Sequence, residues 1–126
     1  MILECYNLLK AIEKRPAMFI GEATLKNIKI FISGYHVALV ENKIATESQV
    51  EPFFDWTARK LGYYESTAGW ANMILASSLG INPETVIWEH VFALQITQEQ
   101  HLDSINLFYE LLEEYKNEIL QENNLP

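Results

Sequence analysis

The sequence predicts a single all-α domain over residues 1–126, a compact bundle of about six helices. Three observations predict it. Apolar residues recur at helical spacing in one segment after another, which gathers them on one face of a 3.6-residue turn. No segment sustains a two-residue alternation into a hairpin dipeptide such as Asn-Gly or Asp-Gly. With 126 residues, 49% of them hydrophobic and 21% charged, the chain can bury roughly two thirds of its unfolded surface and needs no disulfide or metal staple.

The first helix is expected from Ile2 to Glu13, with Tyr6, Leu9 and Ile12 on one face, and Pro16 stops it. The segment Arg15-Pro16-Ala17-Met18-Phe19-Ile20-Gly21 then reads as a loop. Thr24 caps a second helix to about Asn42, in which Leu25, Ile28, Phe31, Ile32, Tyr35 and Leu39 form a wide apolar face. Lys26, Lys29, Ser33 and His36 leave it only a narrow polar stripe, which places it at the centre of the bundle, with Gly34 admitting a close neighbour. A third helix from about Val50 to Leu61 carries Phe53, Phe54 and Trp56, pairs Asp55 with Arg59, and ends on a left-handed Gly62.

After the connection Tyr63-Tyr64-Glu65-Ser66-Thr67, a short helix from about Ala68 to Leu79 holds Trp70, Met73 and Ile74 and is closed by Gly80. Asn82 as N-cap and Pro83 as first helical residue open a fifth helix lined by Val86, Ile87, His90, Val91 and Leu94. Thr97 caps the last helix with Gln100 at the third position, a capping box that satisfies two orphaned backbone donors. That helix extends to about Glu122 and packs through Leu102, Ile105, Phe108, Leu112, Tyr115 and Ile119.

Charge is distributed unevenly. The formal net charge is −8, which disfavours nucleic acid and anionic membranes as partners because either meets repulsion. Residues 1–60 carry a net +1 and residues 61–126 a net −9, and no lysine or arginine occurs from Gly62 to Tyr115. On the last helix Glu99, Asp103, Glu110, Glu113, Glu114 and Glu118 fall largely on one stripe opposite the packed side. The ordinary reading is a solvated face; the functional one is a surface that docks a basic partner.

Signs of enzymatic chemistry are missing. The five glycines form neither a Walker A nor a dinucleotide fingerprint, and no His-Glu-x-x-His or Gly-x-Ser-x-Gly occurs. The residues three before His36, His90 and His101 are Ser33, Ile87 and Gln98, so di-iron Glu-x-x-His pairs are absent. Cys5 is the only cysteine, which excludes an internal disulfide and zinc sites built on two thiolates and fits a reducing compartment. No apolar run reaches the roughly 18 residues of a membrane span, and Glu4 interrupts any signal-peptide core. A cytoplasmic protein without metal, cofactor or catalytic residues is expected.

Trp56, Trp70 and Trp88 at helical spacing read as core. Tyr63 and Tyr64, in a connection, read instead as interface anchors. Glu84 and Glu89 join the acidic residues of the last helix as candidate partner contacts. His36 reads as a surface or subsurface residue, His90 as core or boundary, and His101 as exposed.

Two resemblances bear on this. Lys14-Arg15-Pro16-Ala17-Met18-Phe19-Ile20-Gly21 is similar to a segment of type II topoisomerase ATPase subunits, but no Asp-x-Gly-x-Gly follows and the chain is too short for that fold. The order of the Arg15-Pro16 loop, Ser33-Gly34-Tyr35, Phe53-x-x-Trp56 and Gly69-Trp70 resembles small bacterial immunity proteins of contact-dependent growth inhibition and other polymorphic toxin systems. That resemblance spans roughly residues 10–115 and implies a cognate inhibitor of a toxin domain, often a nuclease. The alternatives are a small enzyme whose site combines His36 or His90 with a carboxylate from another helix, or an adaptor for a basic host protein.

Overall fold

Helix starts and stops follow the residues that satisfy or refuse backbone hydrogen bonds. A computed structural model of the chain describes residues 2–45, 50–64 and 68–124, with side chains to residue 121. A 3-10 turn, Ile2–Cys5, leads into α1 (Tyr6–Lys14), followed by α2 (Pro16–Ile20) and α3 (Leu25–Glu41). Then come α4 (Phe53–Leu61), α5 (Trp70–Ser78), α6 (Trp88–Phe92) and α7 (Gln98–Asn124), and no strand occurs among the described residues. The fold is an all-α bundle.

Several boundaries fall where the side chains predict. Thr24 Oγ1 accepts from the Asn27 amide at 3.1 Å and opens α3. Gly62 ends α4 at φ 83°, a left-handed conformation open to glycine without steric cost. The box at α7 closes in both directions, with Gln100 N donating to Thr97 Oγ1 at 3.1 Å and Thr97 N to Gln100 Oε1 at 2.9 Å.

Other expectations are corrected. Pro16 does stop α1, but it then serves as the first residue of α2, where its missing N–H costs nothing, so the expected loop is a helical turn. The fifth helix is reduced to the five residues of α6. Asn82 Oδ1 takes the Glu84 amide at 2.9 Å in a local turn that includes Thr85, whose amide donates to the Asn82 carbonyl at 3.2 Å, and the β-branched Ile87 is extended as the N-cap. Arg59 pairs with Glu51 through two hydrogen bonds of 3.1 and 3.3 Å rather than with Asp55. On α7, Leu102, expected on the packed side, is exposed.

The centre of the bundle is α5, not α3. Trp70, Ala71, Met73, Ile74 and Ala76 are all buried, because α5 touches α3, α4 and α7 at once and its alanines admit close neighbours. Only Leu25, Ile28 and Ile32 of α3 are buried. Ile30, Val37 and Val40 remain exposed, and a Cβ on Gly34 would meet nothing within 4 Å. The apolar face of α3 is wider than the surface available to cover it.

Aromatic rings form the core around Phe53. Its centroid lies 5.9 Å from Trp56, 5.3 Å from Trp70, 6.0 Å from Phe108 and 5.2 Å from Tyr115, separations at which ring pairs attract beyond their buried area. Tyr109, buried on α7, donates to the Leu9 carbonyl at 2.7 Å and ties α7 to α1. A smaller cluster of Tyr63, Met73 and Ala76 packs against Ile81, Val86 and Trp88.

Candidate functional site

The long helix α7 turns one side to the core and leaves the other with carboxylates. Phe108, Leu111, Leu112, Tyr115 and Ile119 are buried, whereas Glu99, Asp103 and Glu110 are exposed. One turn of α-helix separates Glu99 from Asp103 and two turns separate Asp103 from Glu110, so they form a ridge along the outer face. Among the described residues none of the three makes an ion pair, and the exposed amide Asn106 lies between Asp103 and Glu110. Like charges at this spacing repel by a few tenths of a kcal/mol per pair, and an approaching cationic group removes that cost.

The two edges of the ridge are already engaged. Toward α1, Glu113 accepts a hydrogen bond from the Tyr6 hydroxyl and lies 3.8 Å from Lys10 and 3.9 Å from Lys116. Toward α4, Glu114 meets Lys60 at 2.9 Å, and Glu118 accepts from the Trp56 indole. Glu113 and Glu114 are among the candidate partner contacts on the sequence. The packing of α1 and α4 against α7 brings cations to both, and their charge is largely spoken for within the molecule.

Tyr63 and Tyr64, adjacent in sequence, have opposite fates. Tyr63 is only 2% exposed, with its hydroxyl donating to the Ile81 carbonyl at 2.6 Å and its ring 5.5 Å from Trp88. It is a core residue and not an interface anchor, because the left-handed Gly62 turns the chain back over α5. Burial pushes its phenol pKa up. Tyr64 is 66% exposed and touches the molecule through a 3.4 Å hydrogen bond to the Arg59 carbonyl. Beside it, the Glu51 hydrogen bonds hold the Arg59 guanidinium in its charged form, with smaller contributions from Glu118 and Tyr64.

Glu84 and Glu89 are exposed, the first in the turn before α6 and the second in its first turn. Among the described residues neither makes an ion pair. Residues 65–67 of the expected connection, and the Glu122 side chain, lie outside the described residues.

His36 lies half-buried on α3 with Nε2 3.3 Å from Glu4 Oε2. Among the described residues this is the one histidine within 4 Å of a carboxylate. His90 is exposed rather than packed, because α6 is too short to turn it inward. The hollow it lines, between Ile81, Thr85 and Leu94, carries no carboxylate. His101 is half-buried where an exposed position was expected. Cys5 is fully buried in the core, and desolvation raises its thiol pKa, with Glu4 adding to the effect. Among the described residues no three His, Cys, Asp or Glu side chains converge as a metal site would require, and no helix is long and apolar enough to cross a membrane.

The sequence reading missed a cleft of about 650 Å³ between α3, α5 and the segment from α6 to Ile96. Its signal was present in the nearly all-apolar surface of α3. No protein-family model, curated protein or solved structure matches this chain.

Proposed function

We propose that this chain is a non-enzymatic cytoplasmic inhibitor that binds a basic protein domain, as an immunity protein binds its cognate toxin, through the outer face of α7. The observation that carries the reading is the ridge of Glu99, Asp103 and Glu110, three exposed carboxylates without an ion pair among the described residues. A nuclease that must hold a polyanion is commonly cationic around its active site, and an acidic ridge competes for that surface as a phosphate backbone would. Tyr64, exposed beside α4, supplies the ring that slows dissociation. The order of short motifs from Arg15-Pro16 to Gly69-Trp70, similar to small immunity proteins, supports the same reading.

The experiment uses the reading frame adjacent to this one. Its carboxy-terminal region is expressed inducibly with and without this protein, growth is recorded, and the pair is co-purified. Toxicity alone and rescue on co-expression is the expected result; equal killing in both arms overturns the assignment for that pair. In the purified complex, Asp103→Asn with Glu110→Gln should slow association about tenfold at low salt, with little change in dissociation. Tyr64→Ala should act mainly on dissociation. Association insensitive to salt would remove the electrostatic part of the reading, and a partner that is basic but not toxic would favour the adaptor.

A further inference from the structure

The cleft beside α3 has the opposite chemistry to the acidic ridge, and no α7 residue lines it. Its walls are aliphatic and aromatic: Ile30 of α3, Leu75 of α5, and Val91, Phe92, Leu94 and Ile96. Ile30, Phe92 and Leu94 are exposed, so water wets apolar carbon over much of the opening, and its removal favours any apolar occupant. The volume of about 650 Å³ falls in the range of small-molecule sites, which combine an apolar lining with a few polar groups.

Those polar groups select the sign of the ligand. Lys26 and Lys29, one helical turn apart, both border the cleft, and among the described residues neither makes an ion pair. Lys10, Arg59, Lys60 and Lys116 are matched with carboxylates, whereas Lys14, Arg15 and Lys43, none of which lines the cleft, share with Lys26 and Lys29 the lack of an ion pair among the described residues. The Lys29 ammonium lies 5.9 Å from the Trp70 ring centroid, and a Cβ on Gly69 would collide with it, so the glycine leaves room for the amine at the cleft wall. Ser33 directs its hydroxyl back to the Lys29 carbonyl at 2.7 Å, and no carboxylate lines the cleft to neutralise the two ammoniums.

We propose that this cleft binds an aliphatic monocarboxylate, its chain along Ile30, Leu75 and Ile96 and its head group between Lys26 and Lys29. Because the protein as a whole repels anions, the selection must come from these two side chains. The site stands independently of the docking role of α7.

The test is an amide-shift titration of the full ¹⁵N-labelled chain with sodium decanoate below its micelle concentration. Saturable shifts are expected on α3, on α5 and over residues 91–96, with affinity rising about fourfold per added methylene across the octanoate, decanoate and dodecanoate series. Lys26→Gln with Lys29→Gln should weaken decanoate about tenfold or more, and decyltrimethylammonium should bind at least that much more weakly than decanoate. Ile30→Glu, a change at a solvent-exposed position, should abolish binding while leaving helical circular dichroism intact. Equal affinity for the cationic and anionic amphiphiles, wild-type affinity in the double lysine variant, or shifts confined to another surface would each overturn the proposal.

Discussion

Thr57 on α4 is fully buried, and among the described residues its hydroxyl has no hydrogen-bond partner. A buried polar atom left unpaired costs about 1–3 kcal/mol relative to water, whereas a methyl group in its place fills the same volume without that cost. Thr57→Val should therefore stabilise the fold by about 1 kcal/mol, read as a higher urea midpoint at unchanged slope. A loss of that size would show that the hydroxyl is bonded after all. The two tyrosines mark how far single residues are legible in sequence. Tyr63 and Tyr64 follow the same glycine and share one side-chain type, so composition assigns them one role. What separates them is the direction of the chain after the left-handed Gly62, which aims one ring at Trp88 and the other at solvent. That direction depends on α5 and α6 being in place, and no local pattern encodes it.

Elements were readable where a side chain closes its own backbone bonds and unreadable where a tertiary neighbour decides. The start of α7 is of the first kind, since the Thr97–Gln100 box uses only residues within one turn. Thr97→Ala should cost about 1 kcal/mol, and Gln100→Ala should cost less because it removes the second bond alone; thermal unfolding of both variants checks the order. If Gln100→Ala proved the more damaging, the box would not be what holds this end. The segment from Asn82 to Leu94 is of the second kind. Its apolar spacing fits a helix, yet Asn82 closes a turn on Glu84 and Thr85, and the β-branched Ile87 is extended at the N-cap of α6. Periodicity reports which side chains seek cover, not what covers them, and α3 shows the same limit. Its apolar surface signalled a central helix, but with α5 already in the centre the excess became the wall of an open cleft. The acidic ridge was legible as a stripe, while the cations that occupy its edges come from α1 and α4 and were not.

At the scale of the whole molecule, burial of neutral acids sets how stability responds to pH. Desolvation raises the pKa of the Cys5 thiol, the Tyr63 phenol and the Tyr109 phenol above their ordinary values of 9.0 and 10.0. In the unfolded chain these groups ionise near those ordinary values, while the folded chain keeps their protons to higher pH. Above about pH 9 the unfolded state thus binds fewer protons than the native state, and stability falls as pH rises, by about 1.4 kcal/mol per pH unit for each proton retained. Below that range the three groups are neutral in both states and contribute no slope. Lys10 acts in the same direction, since its hydrogen bond to Glu13 raises its pKa and favours the charged form, a contribution that disappears when the ammonium finally titrates. Its exposure to solvent keeps that part small. The expected outcome is a urea midpoint with no contribution from these groups between about pH 7 and pH 9 that drops steeply toward pH 11. In tyrosinate absorbance, Tyr63 and Tyr109 should ionise only as the helical circular dichroism is lost. Ionisation of Tyr63 and Tyr109 with the helices intact would mean that the rings packed on Trp88 and Phe108 are reached by water in the native state, and that the link between α1 and α7 through the Leu9 carbonyl does not hold those helices together.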